Sequence, residues 1–418
     1  EEERLRLAIA GAAGQGLVGL LYIVQTPISI LDETGRVRAL AALGDLVQSG
    51  NTVILLDNDR EVISVCDEIV RFRHGRLQVM ADTRVPQPAE ACIGNQVENA
   101  PRCEIGGTGV PNLGNVDISF PVGAFTAVVG QSGSGKSVLL RDVIAPALKL
   151  AWGRARPRAD GNQQVRCLNS GGLKRHTFVD DSRSGREEVV LSALGLFGRF
   201  AALFARTPAA LERGYERSFF ELQRPGGRCA TCEGVGRLSY DMEFFAGLSL
   251  ACTSCQGRRF RSAVLEVTVK GYSIADLLEI NLEGAHRHFR QEKAIDQCLE
   301  AAMECGLGSL VLGASTADLD PAHILRLKLA VALARAGAHE IVIVDTPVAG
   351  LHADDLKIVL GALREFVRRG ATVVAADSFR NMSMWAEWII ELGPRGGPGG
   401  GGVSYCGAAE YFVRGRHS

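Results

Sequence analysis

The chain has 418 residues, of which 46% are hydrophobic and 22% are charged, values that suit a soluble protein of two or three domains. Its net charge is −1, so a nucleic-acid surface would have to be a local basic patch. The apolar runs end well short of the roughly 20 residues that a membrane helix needs, which excludes a membrane span.

The cysteines indicate the redox environment of the protein, and the first residues bear on whether the chain is a fragment. Of the 11 cysteines, four form two Cys-x-x-Cys pairs and the rest are scattered, which favours a reducing cytoplasm and one metal site over a disulfide framework. The chain begins Glu1-Glu-Glu-Arg, with neither a start methionine nor a signal peptide. We therefore expect a fragment of a longer protein.

Residues 1–80 predict alternating helices and strands. Leu20–Val24 and Thr52–Leu56 are apolar enough for buried parallel strands, and Arg36–Val47 has helical periodicity. Residues 81–100 are rich in proline and polar side chains and predict a linker.

The second half predicts a longer series of elements. Residues 152–190 are expected to be irregular and residues 191–220 helical. The regular elements expected around them are a strand at Phe125–Val129, a helix from Ser137, a buried strand at Ile341–Val344, a helix at Leu356–Arg369 and a strand at Ala371–Ala375.

An internal repeat links the two halves. Gly19–Pro27 matches His339–Pro347, and Gly50–Leu56 matches Gly370–Ala376, with nearly the same strand–helix–strand spacing. A repeat of this length indicates duplicated domains.

A glycine-rich loop follows the strand at Phe125–Val129 and precedes a helix, which is the context that a phosphate-binding loop requires. Its predicted nucleotide-binding residues are Gly130, Gly133, Gly135, Lys136 and Ser137. Backbone N–H groups would hold the phosphates of ATP, Lys136 would reach the β- and γ-phosphates, and Ser137 would hold Mg²⁺. Asp345, at the end of an apolar strand, is the expected second magnesium partner.

The paired cysteines predict a structural zinc site. Its ligands would be Cys229, Cys232, Cys252 and Cys255, and glycines after each pair suit tight turns. Four thiolates leave no open position on zinc for a substrate. The alternative is a redox pair or free thiols.

Three arginines, Arg258, Arg259 and Arg261, follow the last of these cysteines. They are candidates for contacts with DNA phosphates. The alternative is a solvated basic turn.

Together these motifs resemble the UvrA family, the damage-recognition ATPase subunit of bacterial excision repair. The resemblance covers nearly the whole chain and is carried by Gly130–Ser137, Arg224–Gly236, Cys252–Phe260, Asp345–His352 and Trp388–Gly397. It implies an α/β fold of ABC-type P-loop ATPase domains, one partial and one complete, with an inserted helical and zinc-binding signature subdomain. It also implies dimerisation, a UvrB-like helicase partner and binding to damaged double-stranded DNA.

The resemblance implies a divergent member of the family that lacks its N-terminal part. It also divides the chain into domains. Residues 1–80 would end the first nucleotide-binding domain, and 81–100 would be a linker. The second domain would comprise residues 101–150 and 301–418, on either side of an inserted subdomain at 151–300.

This sequence departs from the family pattern at positions that the family uses for catalysis. The catalytic carboxylate is replaced by Thr346, and in the first copy Gln25 and Thr26 stand in the equivalent places. The signature Leu-Ser-Gly-Gly-Glu is Leu319–His323 here, with Asp320 and Pro321 where serine and glycine are expected. Other replaced positions are Ile30, Asn58, Asp181 and Ser378.

Two functions remain open from the residues alone. The first is a UvrA-like repair ATPase whose dimer geometry is gated by ATP. The second is a nucleotide-binding pseudoenzyme on the same scaffold, which acts as a DNA or protein interaction module with little or no hydrolysis. Loss of a general base typically lowers the rate by about 10²–10⁴-fold. A transporter-type ABC subunit fits poorly with the cysteine pairs.

Overall fold

A computed structural model describes residues 2–14, 16–24, 33–57, 60–73, 76–80, 97, 99–110, 113–131, 133–155, 164–180, 182, 188–242, 245–345, 353–376, 382–393 and 401–414. The chain divides into two compact units. Unit 1 is Glu1–Asp180 with Gly337–Ser418, and unit 2 is the intervening Asp181–Ala336. The domain boundaries predicted from sequence stay predictions.

Unit 1 begins with two helices over a two-stranded parallel sheet. The elements are α1 Glu2–Gly14, β1 Leu21–Val24, α2 Glu33–Gln48, β2 Thr52–Leu55, α3 Arg60–Ser64 and a hairpin of β3 Ile69–Arg73 and β4 Arg76–Met80. Leu5 and Ile9 of α1 pack against Leu43 and Leu46 of α2 in a small core. The predicted helix and both predicted strands are therefore present.

The expectation that β1 and β2 are buried is wrong for the described residues. Their residues alternate between half-buried and exposed, and Ile23 and Ile54 are 62% and 47% exposed. The reason is that one face of this sheet packs on the helical core through side chains such as Tyr22 and Val53, while the other face carries the exposed residues.

The rest of unit 1 contains a three-stranded and a six-stranded sheet. In chain order the elements are β5 Arg102–Val110, β6 Gly114–Pro121, β7 Phe125–Gly130, α4 Lys136–Val138, a π-helical segment Leu139–Ile144, α5 Ala145–Ala151, β8 Gln164–Asn169, β9 Arg175–Val179, β14 Glu340–Asp345, α14 Ala353–Arg368, β15 Thr372–Ala376, β16 Trp388–Leu392, β17 Val403–Ala408 and α15 Ala409–Arg414.

The six-stranded sheet has the order β17-β16-β7-β15-β14-β9. All neighbouring strands are parallel except β16 and β17. Every residue of β14 and β15 is buried, as the apolar runs predicted. Because the strands are parallel, their carboxyl ends share one edge, where β7 runs into the glycine-rich loop and β14 ends at Asp345.

The internal repeat is confirmed by strand register. β1 pairs with β2 through Leu21↔Thr52, and β14 pairs with β15 through Ile341↔Thr372, which are the corresponding residues of the two copies. The intervening helices, α2 and α14, both have 16 residues.

Residues 152–190 are not irregular throughout, because they contain β8 and β9. β9 is an edge strand that pairs with β14, and only its last residue, Val179, is buried. An edge strand with such a mixed surface lacks the continuous apolar run that marks a central parallel strand.

Unit 2 is mostly helical, as predicted for its first part. Its elements are α6 Val190–Ala193, α7 Phe197–Ala205, α8 Pro208–Glu212, a 3-10 turn Arg217–Phe220, β10 Arg237–Met242, β11 Phe245–Ala251, α9 Ser262–Leu265, β12 Thr268–Val269, β13 Tyr272–Ser273, α10 Ile274–Glu279, α11 Leu282–Phe289, α12 Lys293–Glu304, a 3-10 turn Thr316–Asp318 and α13 Pro321–Leu333. Buried phenylalanines such as Phe200, Phe204 and Phe289 fill its core.

No helix among the described residues has the length and apolar character needed to cross a membrane.

Candidate functional site

The glycine-rich loop has a backbone that only glycine accommodates well at two positions. Gly130 has φ +153°, and a Cβ there would lie 2.4 Å from the carbonyl oxygen of Leu392. Gly135 has φ +96°, and its Cβ would lie 2.7 Å from Cδ2 of Leu113. Gly133 also has a positive φ, +76°. The loop thus keeps its backbone close to Leu392 of β16 and to the turn that holds Leu113, an approach that glycine allows because it has no Cβ.

The predicted phosphate and magnesium groups meet at the end of this loop. Lys136 Nζ donates to the carbonyl oxygens of Gly130, at 2.7 Å, and Gln131, at 2.9 Å. Ser137 Oγ donates to Asp345 Oδ1 at 2.9 Å. A hydroxyl beside a carboxylate is a donor set that suits Mg²⁺, so the residues present fit a magnesium–nucleotide ligand. That they bind one remains a prediction.

Two further charged residues at this edge, Arg141 and Asp180, were not predicted from the sequence. The guanidinium of Arg141 lies 3.6 Å from Asp180 Oδ2 and 3.7 Å from Asp345 Oδ2. Arg141 lies one turn after Ser137 in the same helical run, a spacing that could have indicated it. Asp180 could not be found, because it follows a strand that the sequence did not predict.

The four predicted zinc ligands are brought together and buried. The sulfur atoms of Cys229, Cys232, Cys252 and Cys255 all lie within 4.8 Å of one another. The closest pairs are Cys232–Cys255 at 3.6 Å and Cys229–Cys252 at 4.0 Å. Tetrahedral zinc with Zn–S bonds of about 2.3 Å requires sulfurs roughly 3.8 Å apart, so the cluster fits the ion.

Two matching turns and a hairpin create this cluster. The residue after each pair, Glu233 or Gln256, has φ +52°, and a glycine with positive φ follows. The hairpin of β10 and β11 pairs Arg237 with Ala251 and so places the second turn against the first.

The thiols differ in how readily they ionise. Burial opposes ionisation of Cys229, but the N–H groups of Cys232 and Thr231 and neighbouring thiols outweigh it and lower its pKa to about 7. Backbone hydrogen bonds, chiefly from Cys255, lower the pKa of Cys252. Burial raises the pKa of Cys255 to about 12. A bound metal ion takes all four as thiolates, so binding releases protons.

The three candidate DNA-binding arginines have different surroundings. Arg258 Nη2 lies 2.6 Å from Asp276 Oδ1 and donates to Ser273 Oγ, so it reinforces the capping box of α10. Arg259 donates to the carbonyl oxygen of Gly313 at 2.9 Å. Arg261 is exposed, and within the described part of the chain its guanidinium makes no hydrogen bond or ion pair. Arg261 is therefore the most available of the three for a phosphate.

Proteins named UvrABC system protein A match almost the whole chain. The one from Thermus thermophilus is 33% identical over 438 residues, covering 98% of this chain and 45% of the relative. The one from Bacillus subtilis is 31% identical over 434 residues, with the same coverage. The solved structure of UvrA2 from Deinococcus radiodurans matches with a TM-score of 0.82 and 29% identity, over 96% of this chain and 51% of that chain.

The chain belongs to the UvrA family. No protein-family model matches the sequence. The UvrA-type fold class predicted from the motifs, an α/β ABC-type ATPase with an inserted cysteine-bearing subdomain, is confirmed by these matches. The chain spans less than half the length of the curated UvrA relatives it matches. The activity, substrates and partners of a whole UvrA protein therefore carry over only as proposals.

The altered UvrA signature, Leu319–His323, begins helix α13. Asp320 is the N-cap residue: Oδ1 accepts from the backbone N–H of His323 at 2.8 Å, and Oδ2 lies 2.8 Å from Nδ1 of the same histidine. Pro321 stands at the first helical position, where its missing N–H costs nothing. The helix start thus carries a carboxylate at the position where the resemblance to the family predicts a serine.

Replacing Asp320 with alanine is expected to lower the free energy of unfolding by about 1 kcal/mol at neutral pH, because the cap is lost. Burial opposes ionisation of Asp320, but hydrogen bonds from His323 outweigh it and hold its pKa below the ordinary 3.8. A depressed pKa contributes stability above the unfolded value, and that contribution is lost as the pH falls through the folded value. Urea unfolding at neutral and acidic pH should show the two proteins converging in acid. Asp318→Ala, an exposed aspartate in the preceding turn, is the control and should change little.

Several positions predicted to have lost their chemistry lie outside the described residues. They are Gln25, Thr26, Ile30, Asn58, Asp181, Thr346 and Ser378. His352, which belongs to a segment that carries the resemblance, and residues 81–96 and 98 of the predicted linker also lie outside the described residues.

Proposed function

We propose that this chain is the ATP-binding part of a UvrA-type protein of nucleotide excision repair, which binds damaged duplex DNA with a dimer geometry gated by ATP. The observation that carries the proposal is the meeting of Lys136, Ser137 and Asp345 at one edge of the sheet, in a chain that matches UvrABC system protein A along its length. The proposed nucleotide-site residues are Gly130, Gly133, Gly135, Lys136, Ser137 and Asp345.

Zinc would have a structural role in this function. Its proposed ligands are Cys229, Cys232, Cys252 and Cys255, whose geometry suits a closed tetrahedral site. The turn after the last cysteine would carry the DNA contacts, with Arg261 contributing more than Arg258 or Arg259, since those two guanidinium groups already bind protein groups. A UvrB-like helicase subunit, a second copy of the chain and a cytoplasmic location complete the proposal.

Steady-state ATP turnover, with and without damaged duplex DNA, tests the function. The full-length protein should hydrolyse ATP faster with the damaged duplex, and Lys136→Ala should abolish the stimulated rate. ATP binding without turnover above that of Lys136→Ala would instead mean a pseudoenzyme that uses nucleotide only as a switch. Absence of both ATP binding and duplex binding would refute the proposal.

Replacing Arg261 with glutamate is expected to weaken duplex binding and to lower the salt dependence of that binding by about one counterion, because one phosphate contact is lost. The measurement is the slope of log affinity against log salt concentration. Arg206→Glu, at an exposed position after α7 in the same unit, is the matched control. An equal change in both variants would mean that Arg261 acts only through net charge.

Arg258→Glu is a poor substitute for this test. It would break the contact with Asp276 and disturb the start of α10, so weaker DNA binding could follow from local unfolding.

A further inference from the structure

Two carboxylates lie together at the magnesium end of the proposed nucleotide site. Asp345 ends β14, and Asp180 directly follows β9, strands that pair in parallel up to Val344 and Val179. Asp345 is only 5% exposed. Two such groups repel each other and repel a phosphate, and a buried carboxylate is costly without a compensating charge. We call Asp180 and Asp345 the acidic pair.

Arg141 supplies that charge from the helix that carries Ser137. Its guanidinium nitrogen Nη2 lies within 3.7 Å of an oxygen of each member of the acidic pair. The guanidinium also lies over the ring of Phe178, 5.7 Å from the ring centre. The two oxygens of Asp345 thus have different partners, because Oδ1 accepts from Ser137 and Oδ2 faces Arg141.

The helix around Arg141 is itself unusual. Leu139–Ile144 is a π-helical segment between α4 and α5. Such segments are rare and frequently occur at functional sites. The side chain of Arg141 is 59% exposed, so its guanidinium can leave the acidic pair for solvent without breaking a packed core.

We propose that Arg141 is the counter-ion of the acidic pair when no metal ion is bound, and that it sets how strongly nucleotide binding depends on divalent cation. This inference rests on the proposed function, because it concerns nucleotide bound at the glycine-rich loop. With the guanidinium in place, the phosphate end of the site is less negative, and nucleotide binds without metal. A divalent cation held by Ser137 and Asp345 is repelled by the same guanidinium, because both are positive. This repulsion reduces the gain in nucleotide affinity that the cation provides.

Both effects change one measurable quantity in the same direction. Removing the charge of Arg141 weakens nucleotide binding without metal, since the acidic pair then repels phosphate. It also strengthens the contribution of the metal, since a repulsive charge is gone. The ratio of the nucleotide dissociation constant without metal to that with metal therefore rises.

The experiment titrates a fluorescent ATP analogue into the full chain, once in EDTA and once in saturating magnesium chloride. In Arg141→Gln the ratio is expected to rise about tenfold, a modest value because the lost charge is partly exposed to solvent. Arg141→Lys keeps the charge and should stay near the ratio of the unaltered chain. Arg175→Gln is the matched control, because Arg175 makes a similar ion pair with buried Glu340 at the opposite ends of the same two strands.

The outcomes separate this inference from the function beneath it. Nucleotide binding with the same ratio in the unaltered chain and in Arg141→Gln overturns the counter-ion role and leaves the proposed function standing. A ratio in Arg141→Lys that equals that of Arg141→Gln also overturns it, because charge would then be irrelevant. No binding by the unaltered chain in either buffer refutes the proposed function, and the inference falls with it.

Discussion

Replacing Cys229 with serine is expected to remove bound zinc and to lower the free energy of unfolding of unit 2 by several kcal/mol. Structural zinc contributes about 10 kcal/mol or more to the folding of small zinc modules, because the unfolded chain offers no preformed site. The cluster depends on all four thiols, whose sulfur atoms lie within 4.8 Å of one another. Elemental analysis should find about one zinc per unaltered chain and none in the variant, and thermal unfolding should show the loss of stability.

Cys298→Ser is the matched control for this change. Cys298 is a buried cysteine of the same unit, with Sγ donating to the carbonyl oxygen of Leu194, and it lies outside the cluster. It should keep its zinc and lose only about 1 kcal/mol, as an ordinary buried substitution does. An unaltered chain purified without chelator that contains no metal would rule out the zinc site.

Replacing Lys136 with alanine is expected to weaken ATP binding about 10- to 100-fold, because charge-assisted hydrogen bonds to phosphate contribute roughly 1.5–3 kcal/mol. In the structure Lys136 Nζ donates to two carbonyl oxygens of its own loop, so the ammonium group already lies beside the backbone that would enclose the phosphates. Equilibrium titration with a fluorescent ATP analogue measures the change.

Lys149→Ala distinguishes loss of this contact from loss of any positive charge. Lys149 is an exposed lysine of α5, farther along the same helical run. It should bind ATP as the unaltered chain does. If the two lysine variants bind ATP equally well, the glycine-rich loop is not the nucleotide site.

The sequence was sufficient to predict the parts of the protein whose chemistry is local. The glycine-rich loop and the Cys-x-x-Cys pairs each depend on a few residues at fixed spacing, and the structure brings Ser137 to Asp345 and the four cysteines to one another. The internal repeat was also predictable, because matching residues recur in the two copies at nearly the same spacing, and the two strand pairs have the corresponding register. The substitutions in the signature segment could be read directly, although their effect on hydrolysis could not.

Tertiary structure decided what depends on groups that are distant along the chain. Arg141 has two acidic partners because β9 is an edge strand beside β14, and β9 has too few apolar residues to be recognised in the sequence. Arg258 follows the turn of the second cysteine pair and was therefore a candidate for DNA contacts, yet its guanidinium is held by Asp276 of α10. Spacing along a chain specifies which side chains a turn or a strand places together. The partner of a long charged side chain is set by packing between elements, which spacing does not encode.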